Sequence, residues 1–448
     1  MLFKIAFRNI LRNGRRSLMT TSAIAVGTIA LLIFGEYVAD IVRGYQTNVV
    51  ETSGHMEVFA KGYFDFGSAN PAGYSISGYK SIIRLIENDP ALKPMLTVVT
   101  PTVTTFGVAG NSAGDASRNF WGIGYVPSGQ ARLRKWRDYG FTAVGRDLPL
   151  TDDDAAHGIV GVGLARMLGL CAPLKIADCP APPGSKSKEA APGGEDAESS
   201  GEPTINLLAA TSEGAPNIVS MKVREARSQG VKEFDDIYVA MNIKLAQRLL
   251  YGRDDTKAVG IVIQLQHTAD IPKARARLNA LFKQHGLDLE VRDFYELVPR
   301  YMQAIGLFYA IFGFIAVVIG IIVLFTVVNT MSMSVMERTN EIGTVRAMGV
   351  RRSGIRRQFL IEGSMLGALG TTAGIVVAAI FSQWFNSLGL TWVPPGDTSP
   401  IALHLLTTGI LELQLSVWSA LVVLAMIAAL IPANRAARLP VVDALRHV

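Results

Sequence analysis

The chain has 448 residues and a formal net charge of +6, and 49% of its residues are hydrophobic against 18% charged. Apolar residues are concentrated in four stretches without Asp, Glu, Lys or Arg, and each is near the roughly 20 residues that a helix needs to cross a bilayer. These stretches are Ser17–Gly35, Tyr301–Met336, Gly363–Gly396 and Leu413–Asn434. The pattern excludes a wholly soluble protein, and the modest net charge requires no nucleic-acid partner.

The first sixteen residues are predicted to form an amphipathic helix, because Lys4, Arg8 and Arg12 recur every four positions. The other side of that helix carries the apolar residues Phe3, Phe7, Ile10 and Leu11. We expect it to lie in the cytoplasmic membrane interface. Residues 17–40 are then an uncut first membrane helix, since the apolar run exceeds the roughly 7–15 residues of a signal-peptide core.

Residues 41–300 mix the strand and helix periods, which predicts a large α+β domain inserted between membrane helices one and two. Strand-like runs are His55–Ala60, Thr97–Gly107, Asp236–Ala240 and Val259–Gln266. Helical patterns are Ser81–Asn88, Gly163–Leu168, Ile243–Tyr251 and Ile271–His285. Residues 180–203 lack large apolar side chains and are rich in Pro, Gly, Ser and Glu, so we predict a disordered insertion there.

The two cysteines of the chain, Cys171 and Cys179, both fall in this domain. In an oxidising compartment we expect a disulfide that closes the short loop between them. Two unpaired thiols are the alternative. A metal site is not expected, because no histidine or second cysteine pair stands nearby.

The second apolar stretch is longer than a membrane crossing requires. Residues 301–336 as a helix span about 54 Å at 1.5 Å per residue, so we expect a stalk that projects beyond the bilayer. Glycines recur along this helix and the next at spacings that permit close helix packing. They are Gly306, Gly313 and Gly320, then Gly363, Gly367, Gly370 and Gly374. The alternative is that these glycines face lipid.

Basic residues flank the apolar stretches unevenly. They precede the first stretch, separate the second from the third and follow the fourth, whereas the segment around Asn386–Leu413 has no Lys or Arg. The positive-inside rule therefore predicts cytoplasmic termini and a periplasmic domain. The predicted membrane organisation is helices at 17–40, 301–336, 358–386 and 413–434, a cytoplasmic hairpin at 337–357, a short periplasmic segment at 387–412 and a cytoplasmic tail at 435–448.

Several kinds of chemistry are not supported by the sequence. No Lys follows a Gly, so the nucleotide-binding loop G-x-x-x-x-G-K-[ST] is absent from these residues. The six histidines show no zinc-binding spacing, and we interpret Asp152–Asp154 as a solvated turn. Glu36, Glu362 and Glu412 lie only at the ends of the apolar stretches, which disfavours ion-coupled transport. We therefore predict no catalytic, cofactor-binding or metal-binding residues.

The most distinctive segment is the charged stretch after the second apolar run, residues 335–367. A helix from Met331 to Ala347 would end at Gly349, and the next would begin at Ile355–Phe359. The result is a charged helical hairpin, which we call the 337–357 hairpin. A loop that served only topology would not need its mixture of acids, glycines and spaced apolar residues.

This segment resembles the signature of the FtsX/MacB family of ABC permeases. The run E-R-x-x-E-I-G-x-x-R-A-x-G-x-x-x-x-x-I, with F-x-x-E after it, is carried here by Glu337, Arg338, Glu341, Ile342, Gly343, Arg346, Ala347, Gly349, Ile355, Phe359 and Glu362. The opening FKIAFRNILRNGRRSLMT, the piece GVGLARMLGL and the tail PANRAARLPVVDALRH are also similar to the family. Residues 170–235 depart most from its pattern.

The resemblance implies four membrane helices, a periplasmic domain and a dimer, with either a second copy or a sister permease. It also implies a separate cytoplasmic ABC ATPase, with Glu337–Gly349 as its docking surface. ATP-driven closure would then act on a substrate from the periplasmic side or outer leaflet. Release of an amphiphile such as a lipoprotein is the leading interpretation, and a periplasmic adaptor or carrier is a further expected partner. Small-molecule or peptide efflux, and a mechanical relay to a cell-wall hydrolase, are the alternatives.

Overall fold

The computed structural model describes residues 2–67, 70–111, 116–139, 149–176, 179, 202–252, 256–393 and 401–441. The chain divides into two compact units, which we treat separately. The helical unit comprises Met1–Val42, Met302–Thr391 and Ala402–Val448, and the α/β unit comprises Arg43–Tyr301 with Trp392–Ile401. The predicted disordered insertion lies outside the described residues, apart from its last two positions.

The helices, in chain order, are α1 (Leu2–Arg12), α2 (Gly14–Ser53), α3 (Tyr79–Asn88), α4 (Pro127–Leu133), α5 (Val162–Met167), α6 (Lys232–Asp235), α7 (Ile243–Tyr251), α8 (Ile271–Gln284), α9 (Phe294–Leu297), α10 (Pro299–Glu337), α11 (Thr339–Ala347), α12 (Arg352–Ser387) and α13 (Leu411–Arg438). The strands are β1 (Met56–Ala60), β2 (Ile76–Ser77), β3 (Leu96–Asn111), β4 (Ala116–Tyr125), β5 (His157–Gly161), β6 (Thr204–Ala210), β7 (Pro216–Arg227), β8 (Tyr238–Asn242), β9 (Lys257–Ala258), β10 (Gly260–Leu265), β11 (Leu289–Asp293), β12 (Thr391–Trp392) and β13 (Ile401–Ala402).

Four of these helices, α2, α10, α12 and α13, are long and apolar enough to cross a membrane. The prediction of four such helices is confirmed, although α2 continues to Ser53, well beyond the predicted end at residue 40. No proline interrupts residues 41–53, and the helix stops before Gly54, whose φ of +70° is the left-handed conformation that glycine adopts at helix ends. The chain is thus a multi-pass membrane protein.

Glycines of α12 allow it to pack closely on two neighbouring helices. A Cβ atom added at Gly363 would lie 2.5 Å from Cβ of Ala429 on α13, and one added at Gly374 would lie 2.5 Å from Cβ of Thr28 on α2. Such separations are too short for real Cβ contacts, so α12 requires glycine there. In contrast, among the described residues, no atom beyond the adjoining backbone of α10 itself lies within 4 Å of a Cβ added at Gly306 or Gly313.

A nine-stranded mixed sheet forms the centre of the α/β unit, in the order β11-β1-β10-β3-β4-β8-β5-β7-β6. β3 also pairs with β6, which closes the strands from β3 to β6 in that order into a ring. β4–β8 and β5–β7 are parallel pairs, and the remaining neighbours in the sheet are antiparallel. A hydrophobic core cluster lies among these strands with α5 and α7, so the predicted α+β character is confirmed.

Candidate functional site

The 337–357 hairpin consists of one short helix between two long ones. α10 ends at Glu337, and Arg338 adopts φ −105° and ψ 18°, which separates α10 from α11. α11 ends at Ala347, and Gly349 has a φ of +96°, so the predicted helix end at this glycine is confirmed. The prediction of one continuous helix from Met331 to Ala347 is wrong, because the helical conformation is interrupted at Arg338.

Arg338 is at the break because its side chain turns into the helical unit. Its Nη1 lies 3.1 Å from Oε1 of Glu362 on α12, and the two side chains are only 5% and 4% exposed. Its Nη2 donates to the backbone carbonyl of Asn9 on α1 at 3.2 Å. The Asn9 amide nitrogen in turn donates to Oε1 of Glu362. Three elements distant in sequence therefore meet in one buried group, the Asn9–Arg338–Glu362 cluster.

Two further ion pairs lie on the surface beside this cluster. Arg12 on α1 donates to both carboxylate oxygens of Glu341 at 2.7 and 2.8 Å, and this hydrogen bond raises the pKa of the guanidinium. Arg16 on α2 pairs with Glu337. More than a third of each of these four side chains is exposed, so each pair contributes at most about 1 kcal/mol.

Apolar contacts hold the hairpin from its inner side. Ile342 on α11 is 5% exposed, and Ile355 and Phe359 on α12 are 3% and 1% exposed. All three belong to the core cluster of the helical unit. Gly343 is also buried, and Arg346 donates a hydrogen bond to the backbone carbonyl of Leu439, the residue after α13. The hairpin is thus fixed to α1, α12 and the chain beyond α13.

The exposed part of the hairpin is its tip. Met348 is 73% exposed and Val350 is 41% exposed. They lie between Ala347 and the exposed Arg351 and Arg352 at the start of α12. A pair of exposed apolar side chains beside two cations is a combination that a protein partner can cover, because apolar area and charge are both available.

Eight residues within Glu337–Gly349 are predicted to contact an ATPase, and they do not share one surface. They are Glu337, Arg338, Glu341, Ile342, Gly343, Arg346, Ala347 and Gly349. Arg338, Ile342 and Gly343 are buried, and Glu337, Glu341 and Arg346 are bonded within the chain. Ala347 and Gly349 are exposed. Sequence reasoning did not identify Asn9 as a contact of the hairpin. The only available signal was its place on the polar side of the predicted amphipathic helix.

The predicted cysteine pair and the acidic triplet both lie in the α/β unit. Cys171 and Cys179 are brought together with their Cα atoms 6.1 Å apart, a separation that a disulfide spans. Asp154 is not a solvated residue, since it contacts both His157 and Arg224. Within the described residues, no group of three His, Cys, Asp or Glu side chains is arranged to hold a metal ion.

Comparison with known proteins places the site in a family. Residues 310–441 match the model of the FtsX-like permease C-terminal domain, and this range includes all but the first residues of α10, the hairpin, α12 and α13. The lipoprotein-releasing system transmembrane protein LolC of Neisseria meningitidis serogroup B is 24% identical over 377 residues, which cover 82% of this chain and 78% of LolC.

Two further known proteins align with a smaller share of this chain. The macrolide export ATP-binding/permease protein MacB of Hyphomonas neptunium is 29% identical over 182 residues, which are 40% of this chain but only 28% of MacB. The solved periplasmic region of MacB from Actinobacillus actinomycetemcomitans is 12% identical and aligns with 57% of this chain and 96% of its own, with a TM-score of 0.33. That score carries no argument about the fold. Residues 310–441 thus carry an FtsX-like permease C-terminal domain, and the chain is similar to permeases of the LolC and MacB kinds.

Proposed function

We propose that this protein is a permease subunit that couples ATP hydrolysis by a separate ABC ATPase to the release or extrusion of an amphiphile from the outer leaflet of a bacterial inner membrane. The 337–357 hairpin would be cytoplasmic and the α/β unit periplasmic. The permease would work as a dimer with a second copy or a sister protein. A lipoprotein is the proposed class of substrate.

The observation that carries the proposal is the division of the hairpin into a fixed base and an exposed tip. The base is held by the buried pair of Arg338 and Glu362 and by the apolar side chain of Ile342. The tip offers Met348 and Val350 to a partner. A partner that moved this tip would therefore move the helices to which the base is attached.

The proposed substrate class is supported by the relative with the greatest coverage among those described. LolC is by its name a component of a lipoprotein-releasing system, and it matches over 82% of this chain. MacB is by its name a macrolide exporter, but its match covers 40% of this chain. Lipoprotein release is therefore the proposal, and macrolide-like efflux is the alternative that the experiment below can favour.

The test is purification of the tagged chain from its native membrane in a lipid-retaining detergent, with identification of the proteins and lipids that accompany it. We expect an ABC ATPase to copurify. Met348→Asp should reduce its recovery at least about tenfold, because burial of a lone carboxylate against a partner's apolar surface costs more than 1.4 kcal/mol. Lipoproteins in the same preparation would support the substrate class.

The control is Leu388→Asp, which introduces the same charge at an exposed leucine just after the opposite end of α12. It should leave the recovery of the ATPase unchanged. If no ATPase accompanies the wild-type chain, the proposed function is refuted. If a periplasmic hydrolase accompanies the complex and no lipoprotein does, the mechanical relay replaces transport.

A further inference from the structure

The N-terminal helix α1 contacts the hairpin through residues that the proposed docking surface does not include. Asn9 reaches the buried Arg338 and Glu362, and Arg12 pairs with Glu341. On the same side of α1, Ala6 is fully buried and Ile10 packs against the core of the helical unit. α1 therefore presents one face to the bundle and is more than an anchor in the membrane interface.

The opposite face of α1 is free for lipid. Phe7 is 48% exposed and Leu11 is 63% exposed. Such a face suits the membrane interface. α1 thus has two contacts at once, one with the bundle through Asn9 and Ile10, and one with the surroundings through Phe7 and Leu11.

The Asn9–Arg338–Glu362 cluster, on the face of α1 that packs on the bundle, is stable only when all its partners are in place. Removing one partner of a buried ion pair leaves the other charge without compensation, so Arg338 and Glu362 hold each other in place. Glu362 also accepts from Asn9, and Arg338 also donates to the Asn9 carbonyl. The position of the hairpin base therefore depends on where α1 places residue 9.

A small cavity lies beside the cluster, next to a nitrogen of Arg338 that makes no hydrogen bond to the described residues. The cavity has a volume of about 20 Å³, and its lining includes Asn13, Ser334, Arg338 and Glu362. That volume is sufficient for one water molecule. The Arg338 Nε–H is buried and has no hydrogen-bond acceptor among the described residues. The Nε–H of Arg338 is therefore one donor of the cluster that no described residue accepts.

We propose that α1 and the 337–357 hairpin act as one coupling unit, in which Asn9 is a positioning residue that holds the hairpin base through Arg338 and Glu362. This inference rests on the proposed function. ATPase turnover then depends on α1, although α1 does not dock on the ATPase. The role of the hairpin is shared with a segment more than 300 residues away in the sequence.

The test compares Asn9→Leu with Asn329→Leu in the complex with the copurified ATPase, reconstituted in lipid nanodiscs. Asn329 carries the same amide at an exposed position of α10 and belongs neither to the cluster nor to the lining of its cavity. We expect Asn9→Leu to copurify the ATPase as well as wild type does, yet to lower ATP turnover about tenfold, the effect of losing a hydrogen bond to a charged group. Asn329→Leu should turn over ATP within about twofold of wild type, the scale of a change away from such contacts.

A rescue experiment separates positioning from a folding defect. Cys171 and Cys179 are changed to Ser, and cysteines are placed at Arg12 and Glu341, whose side chains touch. In the Asn9→Leu background, a short bifunctional maleimide that joins these cysteines should restore ATP turnover. Tethering that restores activity supports the inference, because it replaces only the link between α1 and the hairpin.

Three outcomes would overturn the inference. They are wild-type turnover in Asn9→Leu, equal losses in Asn9→Leu and Asn329→Leu, or no recovery after tethering. Failure of the proposed function is distinguishable from all three, because it appears earlier as a wild-type preparation without an ATPase, and the inference then falls with it.

Discussion

At the scale of single residues, His55 shows how strongly the α/β unit depends on one neutral side chain. His55 is fully buried, its Nδ1 accepts from the Leu265 N–H at 3.0 Å, and its Nε2 lies 3.2 Å from Oγ1 of Thr268. The ring of Trp136 meets it edge-on with centroids 5.0 Å apart. Burial lowers the pKa of His55 to about 3. The folded unit therefore holds this imidazole unprotonated.

The first prediction follows from that lowered pKa. The unfolded chain protonates His55 near pH 6.5, so its contribution to stability is complete above that pH and is lost as the pH falls towards 3. At pH 5 the loss is about 2 kcal/mol, at roughly 1.4 kcal/mol per pH unit. We expect the free energy of opening β1 from β10, measured by hydrogen exchange, to lose this dependence in His55→Gln.

Glu57 is the neighbour that must be separated from this effect. Burial raises the pKa of Glu57 to about 7. Its contribution to stability therefore depends on pH in the opposite sense to that of His55, and it is lost as the pH rises from 4.5 to 7. Because Glu57 remains in His55→Gln, the difference between wild type and variant reports His55 alone. His285→Gln, at an exposed histidine just after α8, is the control. A wild-type-minus-variant difference that is constant between pH 7 and pH 5 would contradict the assignment.

At the scale of elements, the glycines of α12 and α10 lead to different predictions, although both sets recur at regular intervals in the sequence. A Cβ added at Gly367 would lie 2.8 Å from Cβ of Ala425 and 3.3 Å from Cα of Val422, whereas Gly306 has open space around it. We expect Gly367→Leu to lower the thermal midpoint of the purified chain, at a cost of about 1–3 kcal/mol for overpacking. Gly306→Leu should leave that midpoint unchanged.

The comparison of these two variants also tests the role of the α10 stripe, the row of glycines Gly306, Gly313 and Gly320. If Gly306→Leu preserves the fold but reduces recovery of a differently tagged second copy, α10 packs against another protomer. If neither property changes, the stripe faces lipid, as the alternative interpretation holds. A lower midpoint for Gly306→Leu than for Gly367→Leu would contradict the packing described for a single chain.

Elements were predictable where local pattern decides them. The four long helices and the segments around His55–Ala60 and Ile243–Tyr251 follow from hydrophobic period alone. β4 was missed because its sequence, ASRNFWGIGY, contains two glycines and, near its start, three exposed charged or polar residues. The Asn9–Arg338–Glu362 cluster could not be predicted, since its partners are 329 and 353 residues apart and only the fold brings them together.

At the scale of the whole molecule, the distribution of basic residues predicts which parts share a compartment. Arginines surround the hairpin at positions 338, 346, 351, 352, 356 and 357, and others precede α2 and follow the fourth apolar stretch. The segment between α12 and α13 has none. Translocating this many cations is unfavourable, so the hairpin is predicted to stay in the cytoplasm and the α/β unit to lie outside.

Single cysteines test this arrangement directly. With Cys171 and Cys179 changed to Ser, Ser353→Cys reports the hairpin and Ser220→Cys reports strand β7, both at exposed positions. A membrane-impermeant thiol reagent applied to cells with a permeabilised outer membrane should label Ser220→Cys at once and Ser353→Cys only after lysis. The reverse pattern would invert the chain, and an ATPase in the cytoplasm could then reach neither Met348 nor the cluster behind it. Labelling in the expected order, together with ATPase recovery that depends on Met348, would leave the hairpin as the route by which cytoplasmic ATP hydrolysis acts on a periplasmic unit.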